Sequence, residues 1–88
     1  MSKQIRVTVE EKHIKAGRRG QAKDCPIALA LNEQYDTEES HVSYKWCFVG
    51  PIGDHPYDLS RRAIKFIEDF DNGEKVEPAT FVFKKSTR

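Results

Sequence analysis

The chain has 88 residues, 38% of them hydrophobic and 33% charged, with a formal net charge of +1. That length supports one domain with one modest core, burying roughly 60–65% of the unfolded surface. The composition excludes wholesale disorder, two cysteines are too few for a disulfide scaffold, and no apolar run reaches the about 18 residues of a membrane-spanning helix.

Gln4 to Val9 alternates, with Ile5, Val7 and Val9 on one side, which predicts a half-buried strand. Thr8 with Glu11 three residues later fits a capping box that opens a short helix through Ala16, stopped by Gly17. Arg18 to Lys23 reads as a loop. Asp24 is placed to cap a second helix, with Pro26 tolerated in its first turn and Ile27 to Leu31 buried nearly all round.

Tyr35 to Ser40 is acidic and polar, a loop. Val42, Tyr44, Trp46 and Phe48 alternate, which predicts one strand with these residues inward and Ser43, Lys45 and Cys47 outward. Gly50 to Pro56 is turn-forming and holds His55. Tyr57 to Leu59 fits a short return strand. Ser60 or Asp58 caps a third helix, in which Ala63, Ile64, Phe66, Ile67 and Phe70 form the apolar stripe and Asn72-Gly73 the stop. Thr80 to Lys84 closes the chain as a strand with Phe81 and Phe83 inward, and residues 84–88 read as a flexible basic tail.

The expected fold is therefore α+β. Residues 1–88 form a single small domain, with a mainly antiparallel sheet of three to four strands and two to three helices packed on one face.

The small net charge hides a segregation. Residues 1–23 hold seven Lys/Arg against two acids, residues 24–83 hold five against twelve, and Lys84, Lys85 and Arg88 follow. If the ends of the chain meet, they make a basic face on an acidic body, which bears on partners rather than on fold. Within it, Lys12, Lys15, Arg18, Arg19 and Lys23 are the candidate binding residues. Gly17 and Gly20 let backbone approach a ligand, arginine suits phosphate or carboxylate, and a helix start follows. The spacing is not that of a phosphate-binding Walker loop.

Cys25, at a predicted helix start, is the candidate thiol. The helix dipole favours its thiolate, and His13 is a candidate base. The alternative is a cysteine that simply packs. His13, His41, His55, Cys25 and Cys47 lack the close pairs that announce a zinc site, so no metal or cofactor is expected. The acidic clusters fall in loops or at helix ends, with no paired carboxylates in an apolar setting to tune an acid/base couple.

Several of these segments together resemble small phage- and prophage-encoded proteins of unknown function. The shared pattern is a first strand, His13-Ile14-Lys15-Ala16-Gly17, a basic loop, Cys25 to Leu31, Phe70 to Pro78, and Phe81-Val82-Phe83. The chain departs from it at Ala79-Thr80 and in its acidic Asp36–Glu39 loop. The resemblance implies a phage accessory protein, and proteins of that size and origin often block host machinery.

The leading expectation is a non-enzymatic inhibitor that binds and blocks a host protein or nucleoprotein, with an anti-defence role of the anti-CRISPR kind. Nucleic-acid binding through the basic N-terminal face is one alternative, and a Cys25/His13 thiol enzyme or redox sensor is the other. The N-terminus lacks the apolar segment of a signal peptide, so the expected location is the cytoplasm of the host cell, without membrane association.

Overall fold

The structure of the protein is a computed structural model that describes residues 4–21, 23–43, 45–49 and 56–85. Among these residues the elements run β1 (Gln4–Val9), α1 (Glu11–Ala16), α2 (Pro26–Tyr35), β2 (His41–Val42), β3 (Trp46–Phe48), β4 (Tyr57–Asp58), α3 (Arg61–Asp71) and β5 (Ala79–Lys85). The fold is α+β in a single domain. Its sheet has five strands rather than three to four, in the order β1-β5-β4-β3-β2, and every neighbouring pair is antiparallel.

The extra strand comes from residues 41–48. Instead of one strand they form a hairpin: Ser43 N–H donates to Trp46 C=O at 2.7 Å, and Val42 lies opposite Cys47. Residues facing each other across a hairpin point to the same side of the sheet. Val42 is buried as expected and Cys47 is buried beside it, while Trp46 and Phe48 turn to the other face, so the expected orientation is reversed for Cys47, Trp46 and Phe48. His41 stacks on Phe48 there, ring centroids 4.7 Å apart. Tyr44 and residues 50–55, including His55, lie outside the described residues.

The inner face carries Ile5, Val7, Val9, Val42, Cys47, Phe81 and Phe83, and the helices cover it. From α2 come Pro26, Ile27, Ala28, Ala30 and Leu31, buried as its apolar run predicts. From α3 come Ala63 and Phe66, the latter edge-on to Phe81 at 5.4 Å.

The caps differ from expectation at both early helices. Thr8 is a strand residue whose hydroxyl meets that of Thr80 at 3.2 Å; α1 is capped by Glu10, whose N–H donates to His13 Nδ1 at 2.9 Å. The N-cap of α2 is Cys25, one residue after Asp24, because Pro26 takes the first helical position. Ser60 caps α3, accepting from Ala63 N–H at 3.3 Å. At the far end of α3, Gly73 N–H donates to Phe70 C=O and Glu74 N–H to Asp69 C=O. This is a Schellman closure, and it requires the left-handed φ of +82° that Gly73 adopts.

Lys84 and Lys85, expected to open a flexible tail, are ladder residues. Lys84 pairs with Gln4 and Asp58, and Lys85 with Tyr57. Strand β5 is flanked by β1 on one side and β4 on the other, so its alternation continues two residues past Phe83. Residues 86–88 lie outside the described residues. No helix among the described residues is long and apolar enough to cross a membrane.

Candidate binding surface

The helix start that was expected to activate Cys25 instead buries it. Its side chain is enclosed at the head of α2, and desolvation pushes the thiol up to about 11. The backbone N–H groups of Ile27 and Ala28 act in the opposite sense but are outweighed. Cys47 is pushed up to about 12, again mainly by burial, with Asp58 adding to it. Both thiols are free.

Both ring nitrogens of His13 face other groups. Nδ1 accepts the Glu10 N–H of the α1 cap, and buried Nε2 stands 3.4 Å from Glu33 Oε1, long for a hydrogen bond. Among the described residues, no three His, Cys, Asp or Glu side chains gather where they could hold a metal ion.

The five basic candidates have different surroundings. Lys12 Nζ is 2.8 Å from Glu33 Oε2, an exposed pair that raises the lysine and lowers the carboxyl, in each case mainly through the hydrogen bond between them. The loop that holds Arg18 and Arg19 is folded rather than free. Arg18 N–H donates to Asp24 C=O at 2.8 Å, Asp24 N–H to Gln21 C=O at 3.1 Å, and Gly20 N–H to Asp71 Oδ1 at 2.9 Å. Arg19 lies on the end of α3, its Nη1 2.9 Å from the point a β-carbon on Gly73 would occupy. A cation there complements the carbonyl end of the helix. Lys15, Arg18 and Lys23 are exposed.

Beside this loop lies a cleft of about 640 Å³, whose lining includes Cys25, Ile64 and Ile67 together with Glu68, Asp69 and Asp71. Three carboxylates among the lining residues disfavour a phosphate there. The acidic lining makes the cleft itself a poor anion site.

The surface that sequence reasoning missed is the sheet's outer face. By register, Trp46, Asp58, Lys84 and Gln4 form one row across β3, β4, β5 and β1. Arg6 lies opposite Val82 in a neighbouring row of the same face. Gln4, Arg6, Asp58, Val82 and Lys84 are exposed and Trp46 is half-buried. At the β1 edge, Gln34 Nε2 donates to Arg6 C=O at 2.6 Å and brings the end of α2 alongside. Tyr35 and Val82, the two exposed large hydrophobic residues among those described, share a groove there with Arg6. The alternation of Arg6 against Val7 and Val82 against Phe83 is visible in the sequence. The turn that brings Trp46 onto their side is not.

Comparison with protein-family models, with curated proteins and with solved structures finds no match for this chain.

Proposed function

We propose that the chain is a non-enzymatic binding protein of the phage accessory type, which docks on a host protein or nucleoprotein and blocks it, an anti-defence role of the anti-CRISPR kind being the specific form. The observation that carries this reading is the open sheet face. Among the described residues, one side of the five-stranded sheet is left uncovered by the helices and presents aromatic, aliphatic and cationic side chains together. The thiol alternative loses support, because a thiol held to about 11 stays protonated near neutral pH. The resemblance to phage-encoded proteins supplies the context.

The test is affinity capture by the tagged chain from bacterial host lysate, followed by an assay of whatever is captured. A partner whose own activity falls on stoichiometric addition of the chain supports the reading. It is overturned if no partner is retained and expression of the chain leaves phage plating on a defence-bearing host unchanged.

A further inference from the structure

We infer that the open sheet face is a platform for single-stranded nucleic acid, on which Trp46 and Tyr35 stack bases while Arg6 and Lys84 take the backbone phosphates between them. The inference rests on the reading of the chain as a binding protein and names the chemistry of what it binds.

Three observations carry it. First, the cations lie between the aromatics. Along the row from Trp46, Lys84 is two strands away, roughly 10 Å at the usual ladder spacing, and Arg6 stands on the next strand, whose edge adjoins Tyr35. An extended strand crossing the ladder meets a ring, the Asp58 carboxylate, two cations and a second ring in that order. Aromatic faces alternating with positive charge are how sheets hold unpaired bases, because every base has a π-face and every linkage a charge.

Second, the face is too mixed to seat a second copy well. Arg6 and Lys84 outnumber Asp58, so two copies of this face meet with net like charge, whereas a polyanion complements it. Third, the one acid in the row is placed to read a base rather than to repel a phosphate. Asp58 is the register neighbour of Trp46. A carboxylate beside a stacked base accepts from the exocyclic amine of cytosine or adenine, and thymine offers none.

The chain contains a single tryptophan, so Trp46 fluorescence reports binding directly. The experiment titrates the full chain with oligo-dC, oligo-dT and a duplex, each of about 12 nucleotides. Salt is varied from about 50 to 200 mM, with Trp46 quenching and anisotropy of labelled DNA as readouts. The inference expects quenching by single strands, oligo-dC bound more tightly than oligo-dT, and a log–log salt slope of about −1.4 for two phosphate contacts. Y35A and the double variant R6A/K84A alter only exposed side chains. Y35A is expected to weaken binding about tenfold, and R6A/K84A to remove most of the salt dependence. Asp58→Asn is expected to narrow the gap between oligo-dC and oligo-dT.

No quenching at low salt overturns the inference, as does binding that Y35A and R6A/K84A both leave unchanged, a preference for duplex, or dimerisation abolished by those same variants. If oligonucleotides fail to bind while a host partner is captured and blocked, only this inference falls. If oligonucleotides bind and no partner is blocked, the blocking role falls instead.

Discussion

Arg19 rests its guanidinium on Gly73, so the most basic loop of the chain is docked on the carbonyl end of α3. Two arginines between two glycines suggest a ligand loop, yet one of them serves the fold. Gly73→Ala meets two obstacles, the left-handed φ of +82° and the Arg19 side chain. The second is the far end of a flexible residue and moves cheaply. The substitution should therefore cost about 1–2 kcal/mol, set by the backbone, and R19A should recover little of it. Urea denaturation of both variants and their combination checks this.

Gly17 and Gly20 make a contrasting pair. A β-carbon at Gly17 would sit 2.8 Å from Pro26 Cγ and 3.1 Å from Phe70 Cζ, both ring atoms of half-buried or buried residues. One at Gly20 meets nothing, but φ there is +71°. Gly17→Ala should destabilise by about 1–3 kcal/mol through overpacking. Gly20→Ala should cost about 1 kcal/mol, through backbone strain alone. A thermal melt in which Gly20→Ala proved the worse of the two would contradict the packing of α1 on α2 and α3.

The Lys12–Glu33 pair should give a pH window. Glu33 is depressed, so its contribution is present above the ordinary carboxylate range and lost as pH falls through the folded value. Lys12 is raised, so its contribution is present below the ordinary lysine value and lost as pH rises through the folded one. Both side chains are exposed, and the effect is small. Glu33→Gln should melt slightly lower than the parent at neutral pH, and the difference should vanish below the carboxylate range and at high salt.

The thiols should govern alkaline stability. Unfolded Cys25 ionises near 9.0, while the folded residue keeps its proton to about 11. In that interval the unfolded state sheds a proton that the folded one retains. Stability is therefore full below about 9 and falls as pH rises, by roughly 3 kcal/mol in total for this residue. Cys25→Ala should flatten the alkaline slope of unfolding free energy, and alkylation of the native parent at neutral pH should be slow. Rapid labelling would contradict the burial.

Strands β1 and β5 and helix α3 are legible because each keeps one periodicity from end to end, and α2 because Pro26 opens an unbroken apolar run. Ile5, Val7 and Val9 repeat every two residues, and Ala63, Phe66, Ile67 and Phe70 repeat with the helix. Residues 41–48 defeat the same reasoning because the apolar alternation runs unbroken through a reversal. Val42 and Cys47 are an odd number of positions apart, so a period of two assigns them to opposite faces, while the hairpin puts them side by side. That one error hid the candidate surface, since it sent Trp46 into the core and left the outer face without an aromatic. The basic loop misled for a different reason. Its partners Asp71 and Gly73 lie about fifty residues away, and local spacing says nothing of them.

Strand β5 lies between β1 and β4, and the Thr8 and Thr80 hydroxyls that meet across it are 72 positions apart. During synthesis β1 leaves the ribosome first and waits, with its ladder edge unpaired, for β5, the last of the described strands to be made. The two halves of the sheet have no common edge until Ala79–Lys85 emerges. Closure of that long loop should set the folding rate, slower than for a helical domain of equal length. A nascent chain arrested before β5 should remain sensitive to protease.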